Sequence, residues 1–280
     1  MVFQEELIER VRSACLADDG LDSALMYGSF AAGEADEHSD IEFWLFFTPQ
    51  RSAEIDPYSW CSDIAPLTYG LPNEFGSYVA FFPGLVRGEF HFATSDEIGD
   101  VADWPARGAA VERMVVVDRR GALESVLRDV PERYLPPVDD PDEAIAAYCD
   151  RFANWLVLAF HLASRGEDLR AWDALGHVQR HLVWMARLAE RSTAHWLTPS
   201  RGAERELSPT TVAQLRASTG AAAPEALFGA LRGALRLGTH LWQVLAERAN
   251  RSIPTALFDE LGTALDKRAA AAGQKANRAR

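Results

Sequence analysis

Positive charge is scarce in this chain: 28 Lys and Arg residues stand against 41 Asp and Glu, a formal net charge of −13 over 280 residues. Nucleic-acid affinity rests largely on neutralising phosphates with Lys and Arg, so a polyanionic partner is not expected. The expected substrate is a small molecule, cationic or neutral. A nucleotide is still compatible, because bound Mg²⁺ supplies the positive charge that the chain lacks. Cysteine is scarce as well. Cys15, Cys61 and Cys149 lie far apart and match no zinc or redox spacing, which fits buried thiols in a reducing compartment. No uncharged stretch approaches the ~20 apolar residues of a membrane span. The opening Met1-Val-Phe-Gln-Glu-Glu6 is acidic and helix-like, unlike a secretory leader. The expectation is a soluble, cytoplasmic protein with no membrane and no nucleic-acid partner.

Apolar material is plentiful. Hydrophobic residues make up 48% of the chain, with 8 Trp and 14 Phe, enough for one large core or two ordinary ones. Leu7, Ile8, Val11, Cys15 and Leu16 fall at helical spacing and predict a first amphipathic helix over 4–18. Apolar runs around Leu25-Met26 and from Ile41 through Phe47 predict buried strands. The Pro- and Gly-punctuated segment 59–93 predicts further strands near 60–64, 76–82 and 86–93, and Met114 to Asp118 a last short one. Ser95-Asp-Glu97 reads as a helix start.

From about residue 140 the texture changes to helical stripes. One runs from Ile145 through Leu162 and is stopped by Gly166, and a second carries Leu169, Trp172, Leu175, Val178, Leu182, Met185 and Leu188. Later stripes hold Leu227 to Leu245, then Leu257, Leu261 and Leu265. Trp155, Trp172 and Trp184 fall on these stripes as expected core. The predicted class is α+β: a mixed-sheet domain over 1–135, then an antiparallel helical bundle over 136–280, joined at the Pro-rich stretch 134–141. Ala269 to Arg280 carries no apolar stripe and reads as a frayed helix end or a tail.

Between the first two strands lies the most informative pattern. Gly28-Ser29 follows one strand, and Asp40-Ile-Glu42 opens the next. Asp-x-Glu alone says little. On a strand, however, alternate side chains share a face, so Asp40 and Glu42 point the same way, about 7 Å apart along the chain. Converging carboxylates suit Mg²⁺, whose two-metal sites have ions about 3.5–4 Å apart. Gly28 lets backbone approach a phosphate, and the amides and hydroxyl around Ser29 can donate to it. Asp40 and Glu42 are thus candidate metal ligands, and Gly28 and Ser29 candidate nucleotide-binding residues.

A hydroxyl attacking a phosphate held at such a site would also need a base. In Leu85-Val-Arg-Gly-Glu-Phe-His-Phe92, alternation puts Arg87, Glu89 and His91 on one face and Val86, Phe90 and Phe92 on the other. Glu89 is a candidate general base, third metal ligand, or both in different steps. Arg87 is a candidate triphosphate contact or an ion-pair partner of Glu89. His91 either orients a substrate or covers the strand surface.

These motifs resemble the polymerase-beta-type nucleotidyltransferase superfamily and, within it, the two-domain lincosamide nucleotidyltransferases. Met26-Tyr-Gly-Ser29, Ser39-Asp-Ile-Glu-Phe43, Asp63-Ile-Ala-Pro66, Asn73-Glu-Phe-Gly76 and Asn154-Trp-Leu156 carry the similarity further. The resemblance implies Asp40 and Glu42 on Mg²⁺, Glu89 as base and Gly28-Ser29 on the nucleotide phosphates. It implies a homodimer whose helical half binds substrate, and transfer of AMP from ATP onto a lincosamide hydroxyl with release of pyrophosphate. An aminoglycoside or a protein acceptor is an alternative. A regulatory, antitoxin-like module is another, since Arg170 and His177 share one helix with six residues between them.

Overall fold

The structure, a computed structural model, describes residues 3–134, 136, 141–249 and 251–278. The chain divides into two compact units, Met1–Tyr134 and Leu135–Arg280. In the first, helix α1 (Phe3–Ala17) leads into strand β1 (Leu21–Tyr27), a short helix α2 (Gly28–Ala32) and strand β2 (Ile41–Phe47). Helices α3 (Pro49–Ser52) and α4 (Pro57–Ile64) precede strands β3 (Tyr69–Pro72), β4 (Tyr78–Phe82) and β5 (Val86–Thr94). A 3-10 segment over Ser95–Asp103 follows, then α5 (Val111–Met114), β6 (Val115–Asp118) and α6 (Ala122–Asp129).

Six strands form one sheet in the order β3-β4-β5-β2-β1-β6. β2 and β5 pair in parallel and every other pair is antiparallel. β2 sits inside the sheet, and its buried Ile41, Phe43, Leu45, Phe46 and Phe47 explain the near-continuous apolar run in the sequence. On one face, Phe43 and Phe90 stack with centroids 5.9 Å apart, and Trp60 of α4 packs edge-on against Phe90 and Phe92. Leu7, Ile8, Val11 and Cys15 bury the inner side of α1. Leu16 is 63% exposed, because one residue beyond Cys15 the helix has turned about 100° away from the stripe.

The expected strand near 60–64 is instead the helix α4. Asp56 caps it, accepting the Ser59 N–H at 2.9 Å, and Pro57 fills its first position. Its buried Cys61 and Ile64 are three residues apart, a helical spacing. β3, which the sequence did not predict, is an edge strand whose Gly70 and Pro72 an edge tolerates. The predicted helix start at Ser95 is the 3-10 segment, closed by a capping box between Thr94 and Glu97.

The second unit is helical: α7 (Pro141–Ala144), a wide π turn over Ile145–Asp150, α8 (Arg151–Ser164), α9 (Asp168–Glu190), α10 (Ala203–Glu206), α11 (Pro209–Ala217), α12 (Pro224–Ala246) and α13 (Thr255–Arg278). Only three residues around Gly166 join α8 to α9, which turns the chain back on itself. α12 runs so close to α8 that a Cβ on Gly238 would meet Phe152 Cζ at 2.0 Å. Two expectations change. Leu169 and Trp172 are 76% and 53% exposed, so the apolar stripe of α9 begins at Ala171 rather than at its first turn. Between the stripe that ends at Leu188 and the one that begins at Leu227 lie α10 and α11, neither of which the sequence predicted. The Pro-rich stretch 134–141 lies largely outside the described residues, and the helical alternative for the tail holds through Arg278. Among the described residues, no helix is long and apolar enough to cross a membrane.

Candidate active site

Strand register alone assembles one charged face. Tyr27 of β1 is directly opposite Glu42 of β2, and Glu42 is directly opposite Glu89 of β5. Residues directly opposite on neighbouring strands point to the same side, so Tyr27, Glu42 and Glu89 form a row across three strands. Asp40, two residues before Glu42, and Arg87 and His91, two residues either side of Glu89, extend the row along the strands.

Gly28 makes room for this row. It has φ of 72°, in the left-handed region, and a Cβ there would stand 1.5 Å from Glu42 Oε2. Glu42 therefore lies directly against the strand-to-helix turn. Ser29 follows in α2, partly buried, with its carbonyl accepting the Glu34 N–H at 2.9 Å.

Arg87 ties two of the acids together. Its Nη1 donates to Asp40 Oδ2, and its Nη2 donates to Glu89 Oε2 at 2.6 Å. The other oxygen of Glu89 accepts the hydroxyl of Ser77 at 2.8 Å, and Ser77 Oγ is also 2.6 Å from His91 Nε2. The hydroxyl has one proton. With it committed to an ionised Glu89, the contact with His91 requires an Nε2–H donor, which fixes the ring tautomer.

Burial would raise the Glu89 carboxyl, but the hydrogen bonds from Ser77 and Arg87 win and hold it below its ordinary value. Burial pushes the Tyr27 phenol up, and the nearby Glu89 and Glu42 charges push it further. His91 is lowered by burial, against the pull of Glu89. The cysteines take no part: Cys15, Cys61 and Cys149 are buried, and desolvation raises all three thiols.

An aromatic pile continues the face beyond the acids. Trp44 packs on His91 at 4.8 Å and on Trp104 at 5.4 Å, and Trp104 meets Tyr27 edge-on at 5.7 Å. Sequence reading found Asp40, Glu42, Arg87, Glu89 and His91 but missed Ser77, Tyr27 and Trp104. Ser77 had a signal in the turn before β4. Asn73 Oδ1 accepts the Phe75 and Ser77 N–H groups, and the Asn73 N–H donates to the Ser77 carbonyl, so the turn clamps Ser77 on both sides.

A resident Mg²⁺ would need oxygen donors converging on one point. Among the described residues, no group of three or more His, Cys, Asp or Glu side chains is gathered closely enough to hold a metal ion. Mg²⁺ does not require such a cage, since it is commonly held by one or two carboxylates with water and substrate phosphates completing its shell. Asp40 and Glu42, on one face with Glu42 seated in the hollow that Gly28 leaves, meet that smaller requirement.

In the helical unit, Trp155 stacks flat on His177 at 4.0 Å. Arg170 pairs with Glu167 on the surface, so Arg170 and His177 make different contacts. Trp184 donates its indole N–H to the Trp196 carbonyl at 3.2 Å and is partly buried, while Trp172 is exposed rather than core.

Residues 141–263 match the family described as lincosamide nucleotidyltransferase-like, C-terminal domain. The match bears out the resemblance over the helical half and stops short of the sheet. An aminoglycoside 6-adenyltransferase from Bacillus subtilis is similar in structure, with a TM-score of 0.42 and 13% identity, over 95% of this chain and 97% of that one. A nucleotidyltransferase-like protein from Exiguobacterium sibiricum has a TM-score of 0.35 and 12% identity, over 97% of this chain and 91% of that one. Neither likeness is close enough to carry a residue's role across. No curated protein matches the chain.

Proposed function

We propose that this chain, whose helical half carries the lincosamide nucleotidyltransferase-like C-terminal domain, is an Mg²⁺-dependent adenylyltransferase acting on a hydroxyl of a lincosamide. The observation that carries the reading is the pair Glu42 and Glu89 opposite one another on adjoining parallel strands, with Asp40 one residue before β2 and the glycine turn at Gly28 beside them. Asp40 and Glu42 would hold the metal, which supplies charge neutralisation on the phosphates when bound. Gly28 and Ser29 border the triphosphate, where a backbone free of Cβ and a hydroxyl can approach its oxygens.

Glu89 accepts the proton of the acceptor hydroxyl as that oxygen forms its bond to the α-phosphorus. The bond from the α-phosphorus to the oxygen bridging it to the β-phosphorus breaks, and that oxygen leaves on pyrophosphate. The Glu89 carboxylate is held ionised by Ser77 and, in the nucleotide-free protein, by Arg87 as well, so it is ready to accept a proton at neutral pH. A net charge of −13 supports a small acceptor over RNA or DNA. A homodimer in the cytoplasm belongs to the same reading.

The test incubates the purified protein with ATP, Mg²⁺ and a panel of lincomycin, clindamycin and aminoglycosides, and follows added AMP by mass spectrometry. Modification of the lincosamides is expected, with loss of turnover of at least about a hundredfold in Glu89→Gln. Pyrophosphate release that survives Asp40→Asn would overturn the site.

A further inference from the structure

Arg87 is held by the same carboxylates that the reaction needs. Its two terminal nitrogens are engaged separately, one on Asp40 and one on Glu89, so a single guanidinium spans the end of β2 and the middle of β5. The side chain is only 35% exposed. A guanidinium partly withdrawn from water is stabilised by an anion beside it, and arginine cannot shed its charge.

This arrangement conflicts with the chemistry proposed above. A dication at Asp40 competes with Arg87 for the charge of one carboxylate, and beside the guanidinium it would repel it. Once displaced, Arg87 needs a new anion within reach. The guanidinium fork matches phosphate oxygens as well as it matches carboxylates, and the incoming nucleotide brings them.

We propose that Arg87 is an exchange residue: it occupies Asp40 and Glu89 in the metal-free protein and moves onto the nucleotide phosphates when Asp40 becomes a metal ligand. The consequence is positive coupling. Dication binding releases the guanidinium that grips the triphosphate, and the triphosphate holds the guanidinium off the carboxylates. By linkage each strengthens the other by the same factor. Arg87 therefore acts as a positioning residue before nucleotide binds and as a phosphate ligand afterwards. This inference rests on the nucleotidyltransferase reading of the site.

The experiment titrates the full chain with Mn²⁺, read by electron paramagnetic resonance, with and without a non-hydrolysable ATP analogue. In wild type, the analogue is expected to tighten Mn²⁺ binding. Arg87→Gln removes the competing cation, so Mn²⁺ without nucleotide is expected to bind at least about fivefold tighter, while the analogue binds weaker and the coupling shrinks towards none. Arg87→Lys, a point charge that cannot span both acids, is expected to fall between the two and covers the case in which Arg87→Gln misfolds. Mn²⁺ binding that is unchanged or weaker in both variants overturns the exchange, as does undiminished coupling. Wild-type Mn²⁺ affinity in Asp40→Asn has a different meaning: the metal site itself, and not the role of Arg87, is then wrong.

Discussion

Each unit has an arginine gripped by several acceptors, and the two are satisfied in opposite ways. Arg187, in the last turn of α9, is fully buried. It donates to the carbonyls of Pro199 and Arg201 at 2.5 Å, to the Ser192 carbonyl at 2.8 Å and to Glu206 Oε2 at 2.7 Å. Three of these acceptors are backbone, so the guanidinium is what shapes the loop between α9 and α10. Arg87 of the sheet unit is part-exposed and donates to two side-chain carboxylates. Backbone acceptors cannot leave without unfolding a segment, whereas carboxylates can change partners. The first arrangement is architecture and the second suits a site.

The comparison makes its largest forecast in stability. Arg187→Met leaves Glu206 and three carbonyls without their donor, and is expected to cost about 3–5 kcal/mol. Urea denaturation followed by tryptophan fluorescence reads it, since Trp184 and Trp196 belong to the same region. Arg87→Gln is expected to cost less than about 1 kcal/mol, because its partners are reached by water. Equal losses in the two variants would break the distinction.

How far each arrangement could be read from sequence follows the same division. Period-2 alternation on β5 put Arg87, Glu89 and His91 on one face before any coordinates, and Asp40-x-Glu42 did the same for β2. What alternation does not give is register. That Glu42 lies opposite Glu89 depends on a parallel pairing whose connection runs through two helices and two strands. Ser77 lies on no periodic pattern and reaches Glu89 only because the turn at Asn73 is folded. Arg187 gave no signal in the sequence, since most of its acceptors are backbone groups that carry no sequence signature. The α4 helix was misread as a strand because its aromatic and β-branched residues outweighed the Asp56-Pro57 start signal.

A middle-sized effect tests the support behind Glu89. Ser77→Ala removes the hydroxyl between Glu89 Oε1 and His91 Nε2 and is expected to cost about 1–3 kcal/mol of stability. It is also expected to lower kcat with little change in the KM for ATP, because Ser77 lies behind the carboxylate rather than on the nucleotide. Ser77→Thr keeps the hydroxyl and should recover most of both losses. A Ser77→Ala protein with wild-type stability and kcat would show that Glu89 does not depend on the Ser77 hydroxyl.

The smallest effect compares the units through their histidines. Burial lowers His91 in the sheet unit and His181 in the helical unit below the ordinary value of 6.5. A depressed folded value means that the neutral ring is favoured in the folded state, so each contributes stability above 6.5 that is lost as pH falls through the folded value. Denaturation midpoints should therefore drop on acidification from neutral, before the carboxylates titrate. His91→Gln should flatten part of that drop and His181→Gln another part, and additive loss of both slopes in the double variant is the outcome expected of sites in different units. His181 has only the His177 carbonyl at 2.7 Å to favour its protonated form, whereas His91 faces the Glu89 charge. The slope removed by His91→Gln should thus depend on Glu89 and grow in a Glu89→Gln background, where the charge that opposes burial is gone, while that removed by His181→Gln should not change.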